Sequence, residues 1–205
     1  MNLPNKLTVL RIILVPIIVV IYYLGNLGII NGEIFNISIV NWLILAIFSI
    51  ASYTDHLDGK LARRDNLITA FGKFADPLAD KILVLAVMLI LVEDGNLPAW
   101  IPIIVLFREF VVSGYRLIAV EKDGKVIAAN IWGKVKTVTQ MIAIIAALIN
   151  IDNTNKFCEF LKGSLTGLPL LINIITTSMF VVSTIATIFS GWNYIKGGKD
   201  LFKDC

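Results

Sequence analysis

Four carboxylates, Asp55, Asp58, Asp76 and Asp80, stand at the edges of long apolar segments, where an ionised side chain is costly. Their spacing reads D-x2-D-G-x2-A-R-x8-G-x3-D-x3-D, with Gly59, Ala62, Arg63 and Gly72 at the other fixed positions. Residues three or four apart on a helix share a face, so Asp55 and Asp58 converge, as do Asp76 and Asp80. Four like charges gathered beside lipid need neutralisation. Hard oxygen ligands favour Mg2+ or Mn2+, and two such ions about 3.5–4 Å apart can bridge the attacking and leaving oxygens of a phosphoryl transfer. The competing reading is a set of salt bridges to Lys60, Arg63, Lys73 and Lys81. His56, the only histidine, lies between Asp55 and Asp58 but on another helix face, and reads as a spacer. Cys158 and Cys205 are isolated and carry neither a metal nor a redox motif.

A second chemistry-bearing group is cationic. Arg108 falls near the middle of an apolar stretch, where an unpaired charge costs at least about 2.5–3.5 kcal/mol. Arg116 follows eight residues later on roughly the same helix face, and Lys134 and Lys136 open the next apolar stretch. Cations inside a membrane segment, opposite a carboxylate cluster, suggest an anionic co-substrate, most simply a phosphate. The alternatives are a buried pair of Arg108 with Glu109 or a motif Asp, and positive-inside anchoring for Lys134 and Lys136.

These groups need elements to hold them. Apolar residues make up 57% of the chain and charged residues 16%, against roughly 25% charged in soluble domains. Stretches at 7–26, 37–54, 77–93, 97–120, 134–150 and 168–195 approach or reach the length of about 20 residues that a membrane-spanning helix needs. The expectation is an all-α polytopic membrane protein, one domain over 1–205, with six transmembrane helices. A short interfacial helix is expected at the N-terminus, although Met1 to Leu10 also read as the capped start of the first span. Arg11 inside the first stretch, and no small-residue cleavage site after it, speak against a cleaved signal. Lys and Arg are absent from 27–36 and 94–96 and limited to Lys156 and Lys162 in 151–167, while Lys6, Lys60, Arg63, Arg64, Lys73, Lys122, Lys125, Lys196, Lys199 and Lys203 fall on the other side. That asymmetry puts the Asp motif and both termini in the cytoplasm, most simply at a bacterial inner membrane. A net charge of +3 is too small to suggest nucleic acid as a partner, and no basic run interleaved with aromatics supports one. Intramembrane carboxylates also mark ion-coupled transporters, but these Asp gather at one membrane face, and no inverted repeat is evident.

The motif, together with Pro4-Asn5-Lys6-Leu7-Thr8, Arg108-Glu109-Phe110 and Gly133-Lys134-Val135-Lys136-Thr137, resembles the CDP-alcohol phosphatidyltransferases over nearly the whole chain. Within them it is most similar to the bacterial branch that makes phosphatidylglycerol phosphate. The resemblance implies that Asp55, Asp58 and Asp76 ligate metal and that Asp80 is both a ligand neighbour and the general base for the acceptor hydroxyl. It implies that Gly59, Ala62, Arg63, Gly72, Asn5 and Thr8 border the CDP-lipid. Arg108, Arg116, Lys134, Lys136 and Arg11 are then the cations around the acceptor's phosphate. The implied substrates are CDP-diacylglycerol, with its chains among membrane lipids, and sn-glycerol 3-phosphate. Inositol phosphate, serine and phosphatidylglycerol are the other acceptors the motif allows. A homodimer is implied as well.

Overall fold

The computed structural model describes residues 3–64, 70–123 and 131–197; within these ranges the side chains of 3–7, 55–78, 80, 116–123, 195 and 197 lie outside the description. The chain is mostly helical, as a backbone that must satisfy its own polar groups in lipid requires. Helix α1 runs over Leu3–Asn26, α2 over Ile39–Arg64, α3 over Ala70–Glu93, α4 over Trp100–Asp123, α5 over Ile131–Leu148 and α6 over Gly167–Gly197. Each of the six expected stretches corresponds to one helix. Among the described residues, Thr8–Asn26, Ile131–Leu148 and Gly167–Tyr194 are long and apolar enough to cross a membrane, and Ile39–Thr54 is a shorter apolar helix. Helix α4 carries Arg108 and Glu109 in its middle, which lowers its hydropathy.

One expectation is corrected. The N-terminal interfacial helix is not a separate element: α1 is continuous from Leu3. Pro4 sits in its first turn, where the missing N–H costs nothing. Helix α3 begins at Ala70 and runs through Pro77. The chain also has a two-residue hairpin, Glu33–Ile34 (β1) paired with Ile37–Ser38 (β2), in the link before α2. Phe35 and Asn36 at its tip both have positive φ, as a tight two-residue turn demands. Asn36 Nδ2 donates to Asp152 Oδ1 at 2.9 Å, tying this hairpin to the link between α5 and α6.

Helix α5 packs most extensively on α6, α1 packs along both α2 and α3, and α4 packs on α6. Gly25 lets α1 approach α2 closely, because a Cβ there would run into Val40. The core draws Ile18, Ile44, Phe48, Leu83, Ile101, Ile144 and Phe180 from all six helices. Large apolar side chains such as Ile103 and Phe107 on α4, and Ile185 and Ile188 on α6, face outward, as they must in a protein bathed in hydrocarbon.

The two ends of the bundle differ. At one end a polar cavity of about 490 Å³ is lined by Tyr22, Asn26, Asn31, Glu33, Asp94, Asn96 and Lys156 among others. Burial raises the Asp94 carboxyl above its ordinary range, opposed by the Tyr22 hydroxyl that donates to it at 2.7 Å and reinforced by Glu93. The other end holds the C-terminal part of α2 and the N-terminal part of α3, and with them the Asp motif.

Candidate active site

Helix α2 carries Asp55 and Asp58, and α3 carries Asp76 and Asp80. The helical backbone therefore supplies the i,i+3 and i,i+4 spacing that sets each pair on one face. The side chains of all four, with those of Gly59, Ala62, Arg63, Gly72, Arg116 and Asn5, lie outside the described residues. Among the described residues no group of three or more His, Cys, Asp or Glu side chains could hold a metal ion. The donor set of the motif, four carboxylates on two adjoining helices, is of the type that suits a hard divalent cation. Thr8 and Arg11 are both buried, three residues apart on α1, the helix that packs along α2 and α3.

The described part of the site is a cation cluster one residue beyond Asp80. Glu109 on α4 stands at its centre. Its Oε1 accepts from Lys136 Nζ of α5 at 2.6 Å and from Arg108 Nη1 at 2.8 Å, and its Oε2 lies 3.1 Å from Lys81 Nζ of α3. Lys81 Nζ also donates to Ser113 Oγ at 2.6 Å, and Arg108 Nη2 donates to Ser190 Oγ of α6 at 2.5 Å. The Arg108 guanidinium lies 5.9 Å from the centre of the Tyr194 ring, a cation–π contact. Arg108 threads between two glycines. A Cβ on Gly133 would come within 3.4 Å of Arg108 Nη2, and one on Gly191 within 3.4 Å of Arg108 Cγ.

The side chains of Lys136, Arg108 and Glu109 are only 9%, 11% and 15% exposed, so water screens the cluster weakly. Arg108 does pair with Glu109, as one reading of the sequence proposed. The pair is not isolated, however: among the described residues three cations share this one carboxylate. Arg108 Nε is buried with no hydrogen-bond partner among the described residues. A buried donor amid clustered cations is what an incoming anion can satisfy.

Of the cations expected around the acceptor, the structure brings Arg108 and Lys136 together, whereas Lys134 is exposed and outside the cluster. From the sequence Lys81 stood out only as a salt-bridge partner, Glu109 as one and as a member of Arg108-Glu109-Phe110, and Ser113 and Ser190 not at all. Glu109 is the sole acidic residue between Trp100 and Val120, and that isolation was the available signal.

The comparisons with known proteins now bear on this site. A family model for CDP-alcohol phosphatidyltransferase matches residues 1–192. The chain belongs to the CDP-alcohol phosphatidyltransferase family. It is 39% identical over 206 residues to a CDP-diacylglycerol–glycerol-3-phosphate 3-phosphatidyltransferase of Bacillus subtilis, covering 98% of this chain and 97% of the relative. A protein of the same name from Rickettsia felis is 33% identical over 98% of this chain and 97% of its own length. Another, from Pseudomonas fluorescens, is 38% identical over 73% of each chain. As a CDP-alcohol phosphatidyltransferase the chain is a membrane enzyme of a family that generally depends on divalent metal.

Proposed function

We propose that this CDP-alcohol phosphatidyltransferase moves the phosphatidyl group of CDP-diacylglycerol onto sn-glycerol 3-phosphate, giving phosphatidylglycerol phosphate and CMP. The observation that carries the choice of acceptor is the gathering of Lys81, Arg108 and Lys136 around Glu109, three cations to one carboxylate among the described residues. A neutral acceptor such as serine has no use for it, and the names of the full-length relatives point the same way.

In this reading Asp55, Asp58, Asp76 and Asp80 would hold Mg2+ or Mn2+, two ions, which would supply the positive charge that a phosphoryl transfer needs. Arg63 holds the diphosphate or cytidine of the lipid nucleotide by charge-assisted hydrogen bonds. Gly59 and Ala62 let the nucleotide approach the α2 backbone, with Gly72, Asn5 and Thr8 beside it. Arg108 and Lys136 bind the acceptor's phosphate, with Arg116 and Arg11 around them and the exposed Lys134 only at the periphery. Asp80 takes the proton from the acceptor hydroxyl as it attacks the phosphatidyl phosphorus, the P–O bond to CMP breaks, and CMP leaves with the electron pair. Holding the hydroxyl in line removes much of the entropic barrier.

The same reading has six helices crossing a bacterial inner membrane, with the Asp motif facing the cytoplasm. The distribution of Lys and Arg supports it. A homodimer belongs to it through the family resemblance alone. The test is an acceptor panel: purified protein with labelled CDP-diacylglycerol and glycerol 3-phosphate, inositol phosphate, serine or phosphatidylglycerol, followed by mass analysis of the lipid product. Phosphatidylglycerol phosphate formed only with glycerol 3-phosphate is the expected result. A phosphatidylserine product, with no reaction of glycerol 3-phosphate, overturns the reading.

A further inference from the structure

Glu109 is oddly placed for a residue whose only task is to neutralise a buried arginine. Its two oxygens face three cations from three helices: Lys81 of α3, Arg108 of α4 and Lys136 of α5. Lys81 directly follows Asp80, so the contact at 3.1 Å links the cation cluster to the helix that carries Asp76 and Asp80. Ser113, one turn beyond Glu109 on α4, grips the same ammonium at 2.6 Å. Lys81 therefore has two ties to α4, and through Glu109 a third helix joins the assembly. Among the described residues α3 otherwise meets α4 only sparsely, whereas α1 lies along its length. These polar ties are accordingly a main determinant of how α3 and α4 sit at this depth.

An acceptor that carries its phosphate at one end and its reacting hydroxyl at the other needs a fixed span between two sets of groups. The cations take one end, and the motif carboxylates on α3 take the other. We infer that Glu109, acting through Lys81, is a positioning residue that sets the distance between the acceptor-binding cations and the helix bearing the general base. The inference rests on the acceptor site proposed for Arg108 and Lys136. It requires no contact of Glu109 with substrate. Misplacement by about 1 Å at a distance from the reacting atoms can cost on the order of a hundredfold in rate. The loss should therefore fall on kcat and spare phosphate affinity, because Arg108 and Lys136, the two cations proposed to bind the phosphate, both remain.

The test compares the full-length wild type with Lys81→Met, Lys81→Arg, Glu109→Gln and Glu109→Asp, in detergent-lipid micelles with CDP-diacylglycerol and glycerol 3-phosphate. Lys81→Met is expected to lower kcat at least about tenfold, with KM for both substrates within roughly threefold of wild type. Lys81→Arg, which keeps the charge and reach, recovers most of the rate. Glu109→Gln lowers kcat to a similar degree. Inorganic phosphate competes with glycerol 3-phosphate at least as well in this variant as in wild type, since the cluster has gained one net positive charge. Glu109→Asp restores part of the rate.

Unchanged kcat in Lys81→Met overturns the inference. So does a raised KM for glycerol 3-phosphate with kcat intact, which makes Lys81 a phosphate-binding cation. A lower melting temperature with full kcat per folded molecule overturns it too, by reducing Glu109 to charge neutralisation. If Glu109→Gln does not fold, the Lys81 pair decides alone. A wild type that cannot use glycerol 3-phosphate removes the acceptor reading and this inference with it. That result is distinct from a wild type and a Lys81→Met variant that turn over equally.

Discussion

One carboxylate shared by three cations determines how the two lysines at the start of α5 divide their work. Lys136 is buried and bonded to Glu109, whereas Lys134, two residues earlier, points elsewhere and is exposed. Replacing Lys136 with Ala takes a weakly screened charge from the proposed phosphate site. It should raise KM for glycerol 3-phosphate by at least about tenfold, the weight of one charge-assisted hydrogen bond. Lys134→Ala should stay within about twofold, as an exposed charge does. Steady-state kinetics with varied glycerol 3-phosphate checks both, and equal effects would remove burial as the criterion. At this scale the sequence was legible where a charge interrupts an apolar run, which is why Arg108 and Lys136 stood out. It was opaque where the partner decides the role. Lys81 beside Asp80, and Glu109 beside Arg108, each had a sequence neighbour that offered a simpler pairing than the one the fold makes.

At the scale of elements, the tightest pairing is α5 on α6, and its far end is stitched by buried amides. Asn173 on α6 is fully buried. Its Nδ2 donates to Asn155 Oδ1 at 3.1 Å and to the Lys156 carbonyl at 2.7 Å, and its Oδ1 accepts from the Phe160 N–H at 3.0 Å. Asn155 in turn donates to the Ala146 carbonyl on α5 at 2.9 Å. Asn173→Ala leaves several of these groups unsatisfied, which should cost about 2 kcal/mol or more. For a chain of this length that corresponds to a fall in Tm of roughly 4–8 °C. Thermal unfolding in detergent checks this, with kcat of the folded fraction unchanged because the network is at the opposite end from the cation cluster. A Tm within 1–2 °C of wild type, about what a dispensable surface hydrogen bond gives, would mean that the amides do not hold the link. Helix number and order were readable from the apolar stretches alone. The apolar stretch that marks α3 begins at 77, yet the helix extends back to Ala70 through a more polar turn. The amide network left no periodic signal because it pairs residues across the chain, and the hairpin at Phe35 and Asn36 left none because its strands are two residues long.

For the whole molecule, the fold gives a polar cavity at one end of an apolar bundle and an acid-and-cation centre at the other. That polarity suits an enzyme that draws one substrate from lipid and another from water. The motif was the most legible feature of the chain, because eight positions at fixed spacing define the family by themselves. What holds the centre at its working depth emerged only from the packing of α3, α4, α5 and α6. The most direct measurement is CMP release from CDP-diacylglycerol with glycerol 3-phosphate, by wild type and Asp80→Asn, after chelation and again after adding back Mg2+ or Mn2+. The account predicts no release after chelation, recovery in the wild type on adding either ion, and no turnover by Asp80→Asn although that variant still binds CDP-diacylglycerol. Full release in the presence of chelator, or a near-normal rate from Asp80→Asn, would contradict it.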